Sequence, residues 1–167
     1  MTSVRLRAIE PEDLELLYTI ENDPSLWHVG SATVPYSRYA INDFILHATG
    51  DIFADRQVRL MVEAGDLGVV GMADLTSFEP LHMRAEVGIV ILQQYRHCGY
   101  ATEALRQLCI YATERLHLHQ LYAVVNVENR FAEEAFVSSG FQKTATLRQW
   151  IFDGTSYQDA HLLQTFL

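Results

Sequence analysis

Only two cysteines, Cys98 and Cys109, occur among the 167 residues of this chain. They fall in a predicted loop and in the helix that it feeds, too far apart to bridge within that helix. So sparing a use of cysteine fits a reducing compartment. Proline and glycine are few, four and nine residues, and neither gathers into a linker. With no internal repeat and no low-complexity tract, one domain is expected over the whole length. Long apolar runs are missing too. None reaches the roughly 18 residues that a membrane span requires, and no basic-then-apolar leader opens the sequence. A cytoplasmic protein with no membrane partner is therefore expected. Basic residues are scarce: 12 Lys and Arg stand against 21 Asp and Glu, a net charge of −9. That excess repels phosphate backbones, which excludes nucleic acid as an expected partner and favours cationic substrates in a general way.

What remains is an ordinary core-forming composition, 49% hydrophobic and 20% charged, in a chain long enough to bury a core. Val4–Ile9 alternates and reads as a strand. Pro11 opens a helix with Leu14, Leu17 and Tyr18 on one face, closed by Asn22-Asp23-Pro24. A second helix is predicted over Arg38–Ala48, with Tyr39, Phe44 and Ile45 as its apolar contacts. Gln57–Ala64 and Leu67–Thr76 read as paired strands joined at Gly65-Asp66, and Arg84–Leu92 as a further strand with Ala85, Val87, Ile89 and Ile91 on one face. From Gly99 the period becomes helical, with Ala101, Leu105, Leu108, Ala112 and Leu116 in line. Gln120–Val127 is a strand, Asn129–Ser139 a helix stopped by Gly140, and Lys143–Phe152 and Ser156–Phe166 flank the hairpin signal Asp153-Gly154. The order predicts a mixed α/β (α+β) sheet with a parallel crossover in its middle.

The most informative stretch is the passage from that strand, through Gln94-Tyr95-Arg96-His97-Cys98, into a helix opened by Gly99-Tyr100-Ala101-Thr102. A helix start presents unpaired N–H groups and the positive end of the dipole, so it suits an anion. Gly99 and Ala101 leave room for a diphosphate to approach the backbone, and Arg96 adds charge. Neither the dinucleotide fingerprint nor the nucleoside-triphosphate loop is present, and a glycine turn before a helix is by itself compatible with a plain turn.

Arg96-x-x-Gly99-x-Ala101 resembles the Gln/Arg-x-x-Gly-x-Gly/Ala signature of the GNAT superfamily of N-acetyltransferases. Asn126–Ala132 followed by Ser139-Gly140-Phe141 resembles that family's second cofactor motif. Leu6–Tyr18, Asn22-Asp23-Pro24, Arg84–Ile89 and the late Phe152-Asp153-Gly154 hairpin are similar to the branch holding spermidine and ribosomal-protein alanine N-acetyltransferases. The resemblance covers almost the whole chain. It implies the GNAT fold: about seven strands, a splayed parallel pair at the centre and about four helices. It implies acetyl-CoA as co-substrate, with its diphosphate on Arg96, His97, Cys98, Gly99, Tyr100, Ala101 and Thr102. The pantetheine would lie along the backbone of Ile89, Val90 and Ile91 and bond Asn129. Gly88, within the same strand, is then read as a bulge or a close approach; the other reading is a mere gap in side-chain packing.

Transfer of an acetyl group to an amine needs a base, donors for the oxyanion and help for the departing thiolate. Glu86 is the expected base, since a carboxylate within an apolar strand has its pKa raised; the other reading is a strand carboxylate paired with Arg84. An amine pKa of ~10 leaves room for action through water. The family's usual acid, a Tyr, corresponds here to Phe136, which can pack on the pantetheine but has no proton to give. Ser139 is the expected substitute on the same helix face. Ser138 points elsewhere by spacing, although relatives use the equivalent side chain to touch the cofactor. His117-Leu118-His119 has no evident further ligand, and no metal is expected.

For the acceptor, Asp23, Trp27 and Asp74 are the candidate contacts. The stretch Trp27–Val34 lacks the acidic pair that the spermidine enzymes carry, which leaves half a polyamine site. The expected reaction is therefore direct attack, in a ternary complex, by a primary amine: a polyamine such as spermidine, or a protein or peptide N-terminus. The alternative is a weak or inactive acetyl-CoA-binding sensor or assembly module. A homo-oligomer is expected through surfaces such as the late hairpin, whose Trp150 and Phe152 read as core or interface.

Overall fold

The computed structural model describes residues 3–29 and 33–167, with the backbone alone at 27–29. β1 (Arg5–Ala8) leads through a 3-10 turn at Pro11–Asp13 into α1 (Leu14–Glu21). Its entry is fixed by a reciprocal cap in which the Glu10 N–H donates to Asp13 Oδ2 at 2.8 Å. Arg7 holds the same carboxylate with two N–H groups at 2.7 and 2.8 Å, which is how Asp13 tolerates 6% exposure. After a 3-10 turn at Pro24–Val29 comes α2 (Arg38–His47), capped by Ser37 Oγ, which accepts the Ala40 N–H at 3.0 Å.

A one-turn helix, α3 (Ile52–Asp55), escaped the sequence reading because four residues are too few to display a period. It brings the described helices to five. In α2 the inward face is Ile41 with the half-buried Phe44 and Ile45, as expected for the last two, whereas Tyr39 is 80% exposed.

β2 (Val58–Glu63), β3 (Val69–Glu79) and β4 (Arg84–Ile91) follow, then the long α4 (Tyr100–Glu114), β5 (Gln120–Asn126), α5 (Arg130–Ser138), β6 (Gln142–Phe152) and β7 (Tyr157–Phe166). One seven-stranded sheet results, in the order β1-β2-β3-β4-β5-β7-β6. All pairings are antiparallel except β4 with β5. This is the mixed sheet that the element order predicted.

Alternation sorts the side chains between two layers. Ala85 and Val87 of β4, with Leu121 and Ala123 of β5, bury on one face; Ala104, Leu105, Leu108 and Ala112 of α4 and Phe136 of α5 join them in the larger core. The opposite face carries Met61 and Met72, packed with Leu17, Ile20 and Ile41 of α1 and α2. Trp150 and Phe152 belong to neither core: on the outer strand β6 they are 60% and 55% exposed.

Candidate active site

The parallel pair at the sheet centre is short. β4 meets β5 only at Arg84, Ala85 and Glu86, opposite Gln120, Leu121 and Tyr122. Beyond Glu86 the two strands part, and β4 runs on to Ile91 with β3 as its one neighbour. Which backbone groups face the gap follows from the ladder. The Leu92 N–H donates to Val70 O at 2.9 Å, and antiparallel pairs that exchange both bonds alternate with pairs that exchange none. In the register Met72↔Val90, Asp74↔Gly88 and Thr76↔Glu86, residues 86, 88 and 90 therefore turn their N–H and C=O to β3. Ile89 and Ile91 turn theirs into the gap.

Of the three backbone positions expected along a pantetheine, Ile89 and Ile91 are thus presented, and Val90 is not. Its carbonyl points at β3, close enough that a Cβ placed on Gly71 would lie 2.2 Å from it.

At the head of the gap stands the loop singled out in the sequence. A 3-10 turn at Gln93–Tyr95 is followed by extended Arg96, His97 at φ 62° and Gly99 at φ 82°. The Gly99 conformation is one that a glycine adopts at no steric cost. Gly99 caps α4 without any side-chain hydrogen bond, and the first intrahelical bond is the Glu103 N–H to Gly99 O at 3.1 Å. The N–H groups of Tyr100, Ala101 and Thr102 are left to whatever binds the helix start. Arg96 donates from Nε to Ile91 O at 3.0 Å, on the gap edge of β4, which ties the guanidinium to the strand end. Cys98 Sγ donates to Arg96 O at 3.4 Å, and the His97 ring sits edge-on to Phe131 of α5, centroids 4.6 Å apart. The loop is therefore braced against both walls of the gap.

The second wall begins at Asn129, whose Oδ1 accepts the Ala132 N–H at 3.2 Å and so caps α5. Further along, Phe136 is 3% exposed and edge-on to Phe141, centroids 5.0 Å apart. Ser139 does not present a proton as expected. Its hydroxyl lies 2.6 Å from Ala135 O and 3.2 Å from Thr102 O, and with one hydrogen to give it joins α5 to the first turn of α4. Ser138 is exposed on the outer side of α5, in a shallow cleft of about 440 Å³ shared with Arg130, Glu134 and His161 of β7. None of the β4 residues that border the β4–β5 gap lines that cleft.

Glu86 occupies the last paired position of β4, where the gap begins. It is half-buried, and burial raises its pKa; its one hydrogen bond is from Ser77 Oγ to Oε2 at 3.4 Å. The alternative pairing with Arg84 does not occur. Ser77, at φ 50°, lies in the irregular stretch where the β3–β4 register shifts. Across the parallel pair is Tyr122, whose phenol pKa is raised by burial first and then by the charge of Glu86. Ser77 and Tyr122, with Arg56, Phe78, Glu79 and Arg84, line a cleft of about 620 Å³ beside Glu86, on the side away from the loop. Neither Ser77 nor Tyr122 was foreseen, since only strand register places them next to Glu86. Gly88 is not at a bulge: it sits in regular register opposite Asp74, and a Cβ there would meet Asp74 Cβ at an ordinary 3.6 Å, so no protein backbone approaches it closely.

The expected acceptor contacts fare differently. The Asp23 carboxylate accepts the Ser25 N–H at 2.9 Å at the start of the turn at Pro24–Val29, and the Ser25 hydroxyl first and that N–H second hold its pKa down. Asp74 is held by both N–H edges of Arg59, Nε to Oδ1 at 2.8 Å and Nη2 to Oδ2 at 2.9 Å. The Trp27 side chain, and Gly30-Ser31-Ala32 after it, lie outside the described residues.

A profile of the acetyltransferase (GNAT) domain matches residues 3–142. The spermidine N(1)-acetyltransferase of Escherichia coli (strain K12) is 28% identical over 162 residues, 95% of this chain and 83% of that protein. A putative ribosomal N-acetyltransferase of Bacillus subtilis (strain 168) is 26% identical over 163 residues, 93% and 87% of the two chains. Among solved structures, the spermidine N-acetyltransferase of Vibrio cholerae in complex with CoA and spermine superposes with a TM-score of 0.84 at 25% identity, covering 98% and 95%. A dodecameric structure of that enzyme gives 0.82, also at 25%, covering 98% and 93%. The chain belongs to the GNAT acetyltransferase family.

Proposed function

We propose that the protein transfers the acetyl group of acetyl-CoA to a primary amine, in a ternary complex formed at the β4–β5 gap. The observation that carries this reading is the gap itself, in which Ile89 and Ile91 offer backbone groups with no opposing strand. An extended amide-bearing arm fits that edge as an added strand would. The residues present suit the rest of such a ligand. Arg96 and the open N–H groups of Tyr100, Ala101 and Thr102 would hold the diphosphate, and Asn129, whose Oδ1 caps α5, would have its side-chain NH2 left to bond the arm. Bound acetyl-CoA would supply an activated thioester.

The chain does the remainder. Glu86, made more basic by its burial, takes a proton from the acceptor ammonium through water. Glu86 stands between the gap and the 620 Å³ cleft, so an acceptor entering by the cleft meets the base before it meets the cofactor. Backbone N–H groups of β4 facing the gap steady the developing negative charge. Neither residue expected at the acid position supplies a proton, since Phe136 has none and Ser139 commits its own to a carbonyl. With a thiol pKa of ~8.5, departure as the thiolate is accessible near neutral pH. The acceptor classes are a small amine, such as a polyamine, and a peptide N-terminus. A cytoplasmic homo-oligomer is part of the same proposal, supported by the dodecameric neighbour and by the exposed aromatics of β6.

Calorimetric titration with CoA, followed by thiol release over a panel of polyamines, monoamines, amino acids and N-terminal peptides, tests the reading. Arg96→Ala is expected to weaken CoA binding roughly tenfold, the worth of a charge-assisted hydrogen bond. CoA binding without turnover on any acceptor would overturn the transferase reading in favour of a sensor.

A further inference from the structure

Beside the reacting face of β4 the sheet carries a three-residue ion cluster. Arg59 of β2 is paired across the ladder with Asp74 of β3, which is paired in turn with Gly88 of β4. The guanidinium holds Asp74 by the two bonds given above and donates from Nη1 to Glu21 Oε1 at the end of α1. Its plane lies near the Phe44 ring, 5.6 Å from the centroid. The three side chains are 22%, 16% and 21% exposed, so the cluster is at the rim of the site, within reach of a ligand.

Gly88 leaves the Asp74 carboxylate uncovered: an added Cβ at 88 would stand 3.8 Å from Asp74 Oδ2. Glu86 and Gly88 share a face two residues apart, a separation of ~7 Å along the strand. A substrate nitrogen at Glu86 would therefore bring a second nitrogen, on a three- or four-carbon spacer, to the Asp74–Glu21 pair. That place is filled by the chain itself.

We infer that Arg59 is an internal cation seated where a second ammonium of a polyamine would bind, and that it restricts the acceptor to amines carrying one positive charge. The inference rests on the acetyltransferase reading and narrows its acceptor class. Arg59 neutralises one of the two carboxylates and presents its own charge to any further cation. A bidentate arginine is also not displaced by an alkylammonium, which forms no matching fork. The neighbouring cleft sets Arg56 and Arg84 against the one carboxylate of Glu79 in its lining, so it offers a polycation no acidic surplus despite the chain's acidic balance.

The test compares kcat/KM for spermidine with that for butylamine in the full chain. The parent is expected to use butylamine at least as well as spermidine. Arg59→Gln is expected to raise the spermidine-to-butylamine ratio at least tenfold, Arg59→Lys to leave it near the parental value, and Asp74→Asn added to Arg59→Gln to cancel the gain. Calorimetry of spermidine on the CoA-saturated protein gives a second readout, with binding tightened in Arg59→Gln alone. Should Arg59→Gln fail to fold, Asp74→Asn in the parent decides: a selective loss of spermidine turnover would show that Asp74 already binds the polyamine, and would overturn the inference. So would an unchanged ratio in folded Arg59→Gln, or a parent that prefers spermidine tenfold. Failure of every acceptor to turn over would instead refute the transferase reading, and the calorimetric comparison would still decide the role of Arg59.

Discussion

Two glycines on adjacent strands should respond in opposite ways to the same added methyl group. At Gly71 a Cβ would stand 2.2 Å from Val90 O, 2.9 Å from Ile91 Cδ1 and 3.1 Å from Ile91 Cα. The first is a backbone atom in a paired strand, and to restore an ordinary C···O separation it must retreat by about 1 Å. Overpacking of this kind costs about 1–3 kcal/mol, and the strained ladder gives up one or two hydrogen bonds of about 1 kcal/mol each. Gly71→Ala is therefore expected to lose about 2–4 kcal/mol, a fall in Tm of roughly 5–15 °C for a chain of this size. At Gly88 the same methyl meets only Asp74, at 3.6 and 3.8 Å, and the substitution removes glycine's entropic penalty within a strand. Gly88→Ala should unfold within about 1 kcal/mol of the parent, yet lose turnover up to ~10²-fold, because the methyl occupies the floor on which the acceptor lies beside Glu86. Thermal unfolding by circular dichroism and thiol release with acetyl-CoA measure both properties on one preparation. A Gly71→Ala protein with the parental Tm would refute the close approach, and a Gly88→Ala protein with parental turnover would refute the floor.

Glu86→Gln should abolish the rise of kcat/KM with pH: burial raises the carboxyl pKa, so the parental rate climbs above the ordinary carboxylate range as the base ionises, and a parental pH profile in the variant would remove Glu86 as base. Phe136→Tyr should raise turnover, by up to ~10²-fold if the phenol reaches the sulfur; unchanged turnover in a variant of parental Tm would show that this ring, packed against Phe141, is turned away from the reaction. Asp13→Asn should cost about 2 kcal/mol at neutral pH, because it gives up the charge in two hydrogen bonds from Arg7, which keeps Glu63 as its other partner. Arg7 holds the Asp13 pKa below its unfolded value, so the stabilisation is present above about pH 4 and is lost as pH falls through the folded pKa; chemical denaturation at pH 7 and below pH 3 would find the gap between parent and variant closing in acid, and a gap independent of pH would refute the ion-pair account.

Much of the site was legible before the fold was known, for a local reason. Arg96, Gly99 and Ala101 lie within six residues of one another, and the conformations they need, a left-handed glycine and an open helix start, are properties of a few neighbouring residues. Asn129 was legible for the same reason, as the cap of a helix three residues before the N–H that it accepts. The roles expected of Ser139 and Asp74 depended on partners elsewhere in the chain. Ser139 meets Thr102, 37 positions away, and Asp74 meets Arg59 on another strand. No spacing within the sequence announces those encounters.

The sequence by itself determined the periods, and with them the kinds and order of the elements: alternation in β4, the 3.6-residue period in α4, and the turn chemistry of Asp153-Gly154. Those depend on backbone geometry over a few residues. Tertiary structure decided the rest, because register couples residues that the chain does not connect. It ended the β4–β5 pairing at Glu86↔Tyr122 and so opened the gap. It turned Ile89 and Ile91 into that gap and Val90 away from it, a one-residue distinction set by the antiparallel ladder to β3. It also laid Arg59 across Asp74 and Glu21, converting an acidic patch expected to receive a substrate into one already occupied by the protein.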